Sequence, residues 1–381
     1  MKKPFKNPFR HHRAKNRNKP RGYSPTQIIC VSFVIVIALG TLLLSLPIAS
    51  RYGRMRVIDA MFTATSATCV TGLVVRDTWT QFTVFGQAVI LVLIQVGGLG
   101  LVTLTSFFAL AMRRRMGFRD LRVLGESVSA DGYAQAKDVL RIVVGLAACF
   151  EGAGILLLML AFVPQFGPEG IWVSVFTAIS AFCNAGFDLM GTPDMPFVSL
   201  TAYRADPVIS LTISALIVVG GIGFLTWDDV RCNRLCFHRY RLQSKVILTS
   251  TALLILLPTL YFFCFEFKGS TLRERLLLSL FQSVTPRTAG FNTADYTSLS
   301  SSGRGLTILL MFIGGSPGST AGGIKTTTAA VLVANAFAVF RRQKSPEMFG
   351  RRMEEKAVHD AAAIFTLYLV LSLTAAFVIS T

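Results

Sequence analysis

The residues best placed to do chemistry lie in three quartets: Val70-Thr71-Gly72-Leu73, Asn184-Ala185-Gly186-Phe187 and Thr288-Ala289-Gly290-Phe291. Each closes an apolar, small-residue run too short to cross a bilayer. A second glycine signature follows each quartet: GGLG at 97–100, GGIG at 220–223 and GGSPG at 314–318. Two linked motifs repeated three times in one order define an internal repeat. The short run VIDAMFTATSATC (57–69) makes a helix of about 18 Å, half a bilayer, and matching runs occur at about 172–183 and 276–285. Irregular backbone at membrane depth survives only where it is buried or lines a water-filled path. A half-helix ending in a glycine loop suits a cation pore, because its C-terminal carbonyls carry partial negative charge. The carbonyls that follow can replace an ion's hydration shell, and glycine permits the dihedrals that turn them inward. The plainer reading makes Gly72, Gly186 and Gly290 close-packing contacts between helices; three loops in register after half-helices favour the pore.

The elements that must hold these loops are membrane helices. Of the 381 residues 52% are hydrophobic and 15% charged, and the mean hydropathy is +0.56. A soluble domain carries about a quarter charged residues. Seven apolar spans are expected, at 25–49, 83–112, 137–163, 206–227, 245–266, 304–340 and 359–380, the sixth interrupted by GGSPGSTAGG. The net charge of +18 is concentrated at span ends: nine Lys and Arg before residue 22, then Arg113 to Arg115 with Arg119 and Arg122, Arg231 to Lys245, and Arg341 to Arg352. Basic residues in such positions set topology and meet anionic lipid, which argues against nucleic-acid binding. They place the N-terminus and the start and end of each unit in the cytoplasm of a multi-pass cell-membrane protein, so the half-helices re-enter from outside. Arg51, Arg54, Arg56 and the 268–275 stretch are basic on the proposed outer side and oppose that orientation. The seven cysteines are scattered, as expected of small buried hydrophobes rather than a disulfide framework. The expected fold is therefore all-α and polytopic. It comprises a basic tail (1–22), pore-loop repeats at 23–122, 123–240 and 241–343, and a cytoplasmic loop and first helix of a fourth unit (344–381).

VTGL, NAGF and TAGF, together with the longer strings TPRTAGFNT and GGSPGSTAGGIKTTT, resemble the Trk/Ktr/HKT superfamily of potassium uptake proteins. The similarity runs from about residue 23 to 381 and is greatest to the membrane subunit of Ktr type, since the extra N-terminal helix pair of Trk relatives is lacking. The resemblance implies K⁺ uptake through a pore of four units, with filter residues Val70, Thr71, Gly72, Asn184, Ala185, Gly186, Thr288, Ala289 and Gly290. It places an intramembrane gating loop on Gly314, Gly315, Ser316, Pro317, Gly318, Ser319, Thr320, Ala321, Gly322 and Gly323, with Lys325 just after. It also implies a homodimer joined to a cytosolic ring of nucleotide-binding regulatory subunits, with no cofactor in this chain. Docking surfaces for such a ring are the basic loops 113–136, 231–245 and 341–358.

Thr320-Ala321-Gly322-Gly323 does not serve as a fourth filter, because Gly290 to Gly322 spans 32 residues where the filter glycines lie 114 and 104 apart. Residues 359–380 read as the first helix of a fourth unit, and the sequence is expected to be incomplete, lacking the fourth quartet. GSTAGGIKT (318–326) nearly matches a phosphate-binding loop, but it has one residue too many between Gly323 and Lys325 and follows an apolar helix rather than a strand. A mobile plug fits better, with Pro317 stopping the helix. Lys325 either holds the plug through carbonyls or a carboxylate, or snorkels at the helix end. Glu151, near the middle of the 137–163 span, is expensive in a membrane and is expected to be paired. A contact with Arg287, which precedes the third quartet, is one reading; separate partners or backbone bracing are the others. Asp77, Asn184 and Asp188 are candidates for the outer mouth. A Na⁺-conducting or poorly selective relative is the transport alternative. A membrane enzyme or receptor would need more converging polar residues than Glu151 and Arg287.

Overall fold

The computed structural model describes residues 25–100, 133–234, 236–343 and 345–380. The basic tail, the second half of the 83–112 span and the cluster Arg113–Arg122 lie outside them. Helices α1 (Pro25–Leu44), α2 (Val57–Thr68), α3 (Thr78–Gln81) and α4 (Val84–Leu99) are followed by α5 (Tyr133–Phe166), α6 (Glu169–Phe182), α7 (Pro207–Ile222) and α8 (Phe224–Asn233). Then come α9 (Leu242–Phe265), α10 (Leu272–Val284), α11 (Ser301–Phe312) and α12 (Thr326–Phe340). A two-residue-strand hairpin, β1 (Glu347–Met348) with β2 (Arg351–Arg352), and α13 (Glu355–Ser380) complete the chain. The helix starts follow from capping side chains that satisfy otherwise unpaired N–H groups. Thr83 caps α4, Asp206 caps α7 ahead of Pro207, Thr271 caps α10 and Ser300 caps α11.

A long helix, a short helix, a loop and a further helix recur three times. The short helices α2, α6 and α10 bury small and polar residues such as Ala64, Ser66, Ser174, Thr177, Ser180, Ser279 and Ser283, whereas the long helices expose Leu156, Leu160, Leu256, Leu260 and Leu371. That inside-out pattern suits a bilayer, where helix association depends on close backbone approach rather than on apolar burial. The recurring GG dipeptides show how close the approach is. A Cβ at Gly97 would lie 2.0 Å from the Thr68 carbonyl oxygen, and one at Gly220 would lie 1.9 Å from that of Phe182. In the first two units the glycine signature thus sits on the carbonyl end of the preceding short helix, whereas in the third Gly314 packs on Gly322 of its own loop. Gly220→Val is expected to lower the stability of the detergent-solubilised protein by about 1–3 kcal/mol through overpacking. A melting temperature equal to that of the parent would refute this.

Among the described residues, four helices are long and apolar enough to cross a membrane: Gln27–Leu44, Ile142–Phe166, Leu242–Phe265 and Glu355–Ser380. The span expected at 206–227 is broken, since α7 and α8 meet at 95°. The bend lies at Gly223 (φ +97), where a Cβ would stand 2.7 Å from the Pro317 carbonyl oxygen. There the loop after α11 docks against the break: Ser316 N–H donates to Gly221 O and Phe224 N–H to Gly318 O. Helix α4 ends at Leu99, with Gly100 at φ +83, and the rest of the 83–112 span lies outside the described residues. The 304–340 segment is split into α11 and α12. Burial of the cysteines holds for Cys183 alone; the other six are exposed.

Candidate functional site: converging glycine loops

The site is built from the ends of α2, α6 and α10. Both α2 and α6 close with paired backbone bonds that satisfy their last carbonyls: Val70 N–H to Ala67 O with Thr71 N–H to Ser66 O, and Asn184 N–H to Ala181 O with Ala185 N–H to Ser180 O. The residue after the cap is then left-handed, at φ 55 for Val70 and 57 for Asn184, and Thr288 in the third loop has φ 64. For a β-branched residue such as Val70 this is a true outlier, of the kind that clusters at functional sites. Two residues on, Gly72, Gly186 and Gly290 are left-handed again, at φ 77, 69 and 84. One backbone pattern therefore repeats in three loops, with the hand of φ changing from residue to residue. Hydroxyls brace the loops from behind: Ser180 joins both backbone groups of Phe187, and Thr285 donates to Phe291 O.

The three loops meet. A Cβ on Gly72 would lie 3.0 Å from the Ala185 carbonyl oxygen and 3.5 Å from the Cα of both Gly186 and Gly290. A cavity of about 110 Å³ opens against the glycines, lined also by Asp77, Asp188, Ser199 and Asn292. Asp77 is buried; it caps α3 through Thr80 N–H and accepts from Phe197 N–H at 3.1 Å. Asp188 accepts from Met190 N–H at 3.1 Å. Ser199 and Asn292, which the sequence reading missed, stitch the second loop to the third, Ser199 Oγ accepting from Asn292 N–H and Leu200 N–H donating to Asn292 O. Carbonyl ends, glycine loops and two carboxylates around one cavity form a setting for a desolvated cation.

The loop 313–325, which does not contribute to the lining of this cavity, is folded by its own bonds. Gly314 N–H donates to Ile324 O, Gly315 N–H to Gly322 O, and Ser319 Oγ to Ser316 O. It reaches two quartets directly. The Thr320 hydroxyl accepts from Asn184 Nδ2 at 2.8 Å and donates to Phe182 O at 3.0 Å, and Gly322 N–H donates to the Thr288 hydroxyl at 3.2 Å. Lys325 Nζ donates to Ala321 O at 2.7 Å, so the lysine closes the loop on a carbonyl, not a carboxylate.

Glu151 and Arg287 are not brought together. Both are buried, but the Glu151 carboxylate accepts from Gln95 Nε2 at 3.0 and 3.2 Å, and Arg287 Nε has no hydrogen-bond partner among the described residues. Of the readings of Glu151 and Arg287, the geometry agrees with separate partners: Gln95 of α4, and not Arg287, meets the Glu151 carboxylate. Gln95 was missed. The signal was the one that flagged Glu151, a polar residue within an apolar span.

The TrkH family of cation transport proteins matches residues 4–381. The chain is 40% identical over 367 residues to the potassium/sodium uptake protein NtpJ of Enterococcus hirae, covering 94% of this chain and 79% of that protein. It is 38% identical over 349 residues to the Ktr system potassium uptake protein B of Bacillus subtilis, covering 90% and 77%. Against the protein of that name from Vibrio alginolyticus the identity is 35% over 371 residues, covering 95% and 80%. The crystal structure of the potassium transporter TrkH from Vibrio parahaemolyticus superposes with a TM-score of 0.71 at 18% identity, over 94% of this chain and 72% of that one, a likeness of fold. With a family match spanning nearly its whole length, the chain belongs to the TrkH cation transport family and is a multi-pass membrane transport protein, not an enzyme.

Proposed function

We propose that this chain is the conducting subunit of a K⁺ uptake system of Ktr type, with K⁺ moving inward down its electrochemical gradient past Gly72, Gly186 and Gly290. The observation that carries the reading is the meeting of three glycine loops, identical in backbone hand, at the ends of three buried half-length helices beside Asp77 and Asp188. The filter comprises Val70 to Gly72, Asn184 to Gly186 and Thr288 to Gly290, supplied by units 23–122, 123–240 and 241–343, with residues 344–381 opening a fourth. The loop Gly314–Gly323 with Lys325 is the gate, supported by its bonds to Asn184 and Thr288. The N-terminus is cytoplasmic, and the basic loops face a cytosolic ring of nucleotide-binding subunits on a homodimer. Relatives named as Ktr system proteins support that partnership. Na⁺ is the second permeant ion to test, because one relative is named a potassium/sodium uptake protein, and one glycine per loop supplies few carbonyl layers for discrimination.

The gene encoding this chain is expected to restore growth of an uptake-deficient bacterium on limiting K⁺ and to confer saturable Rb⁺ uptake. Protein present in the membrane without either effect would overturn the K⁺ reading, and uptake of Na⁺ alone would replace it with the second.

A further inference from the structure

We infer that Glu151 is a positioning residue for the second glycine loop, acting through the Gln95 amide on Cys183, and so helps set the preference of the transporter for K⁺ over Na⁺. This rests on the pore reading above and deepens it. The starting point is a carboxylate on an apolar helix that is only 7% exposed. Such a group persists in a membrane when it is partnered and used. Its partner, Gln95, lies on α4 in the preceding unit and gives its amide N–H to both carboxylate oxygens, at 3.0 and 3.2 Å. That fixes which way the amide faces. Its oxygen is turned to Cys183, whose Sγ approaches at 3.5 Å. Cys183 is fully buried, caps α6 and immediately precedes Asn184, where the left-handed turn into the second loop begins.

The contact is held from a second direction. A Cβ on Gly98, one turn along α4 from Gln95, would stand 2.7 Å from Cys183 Sγ, so α4 is pressed against the thiol. Earlier on the same helix, Gln87 accepts from Trp172 Nε1 at 2.8 Å and donates its own amide to Phe82 O at 3.1 Å. Two glutamines of α4 thus hold the two ends of α6. Only the one at the loop end is tied to a charge. The loop it supports carries Gly186, the tightest of the three glycines, where an added Cβ would reach 2.6 Å from the Ala289 carbonyl oxygen. A small rotation of the α6 end is therefore felt by the carbonyls of two loops at once. Selectivity depends on how firmly carbonyls are held around the ion as well as on their number.

The alternative is that Glu151 and Gln95 merely pin α4 to α5. Stability cannot separate the two, whereas ion preference can. Rb⁺ and Na⁺ uptake are measured in proteoliposomes for Glu151→Leu, for Cys183→Ala and for the exchanged pair Glu151→Gln with Gln95→Glu, with Gly290→Ser alongside. Losing one such hydrogen bond is expected to lower the Rb⁺-to-Na⁺ uptake ratio by about three- to tenfold in the first two variants. The exchanged pair, which keeps an amide facing a carboxylate and an acceptor facing Cys183, returns the ratio toward that of the parent. A parental ratio in Cys183→Ala overturns the inference even if Glu151→Leu cannot be purified. A lowered ratio in Gly290→Ser with parental ratios in the other variants overturns this inference alone. A parental ratio in Gly290→Ser removes the pore reading and this inference with it.

Discussion

Gly186→Ala is expected to abolish selective uptake while leaving protein in the membrane. Gly186 has φ +69, and the added Cβ would lie 2.6 Å from the Ala289 carbonyl oxygen and 2.8 Å from the Gly290 Cα. Both obstacles are backbone atoms of a neighbouring loop, and neither can swing aside as a side chain could. The left-handed conformation costs an alanine about 1–2 kcal/mol, and forcing the loops apart costs about 1–3 kcal/mol more. Their sum, about 2–5 kcal/mol, corresponds to roughly thirtyfold to several thousandfold in an equilibrium or a rate. The same substitution should be milder at Gly72 and Gly290, where the nearest backbone atoms stand 3.0 and 3.1 Å from the added Cβ. Rb⁺ uptake normalised to membrane protein tests both the loss and its grading. Parental uptake in Gly186→Ala would show that these glycines are packing contacts and not a conduction path.

Removal of residues 316–322 should have the opposite sign, raising passive cation flux by about tenfold or more as the closed population is lost. The loop is held against the quartets by hydrogen bonds to Asn184, Phe182 O and Thr288, and by Lys325 folding back on Ala321 O. It also wedges the α7–α8 break through Gly221 and Phe224. Thr320→Val is the gentler test. It keeps the shape but deletes the hydroxyl that joins the loop to Asn184, and a rise of about threefold is expected from the lost hydrogen bond. Flux is read as dissipation of a K⁺ gradient in proteoliposomes of matched protein content. An unchanged rate in the deletion would make this loop a structural break in the helix and not a gate.

Much of this architecture was legible in the sequence for a simple reason. A bilayer fixes how many apolar residues a span needs, so runs near 12 residues stood apart from runs near 22. The half-length helices, the glycine loops after them and the interruption of the 304–340 segment all came from counting. The break at Gly223 did not, because GGIG at 220–223 reads locally like the glycines of any tightly packed membrane helix. What bends the chain there is a loop almost a hundred residues later, seated through Ser316 and Gly318.

The partners of the buried charges were illegible for the same reason. Glu151 announced that it needed a partner, since an unpaired carboxylate in a membrane is costly, but the sequence left a contact with Arg287 beside separate partners as open readings. The choice was settled in three dimensions, where the Gln95 side chain of α4 reaches the Glu151 carboxylate of α5. The sequence by itself determined a membrane protein of repeated units with three glycine quartets, because length, hydropathy and repetition are properties of a chain read one residue at a time. Only the tertiary structure decided that the quartets meet at one point, with a common backbone hand, two carboxylates at the cavity beside them and the 314–323 loop bonded to Asn184 and Thr288. Hydrogen bonds and close backbone contacts across more than a hundred residues depend on where helices pack, and no local pattern encodes that.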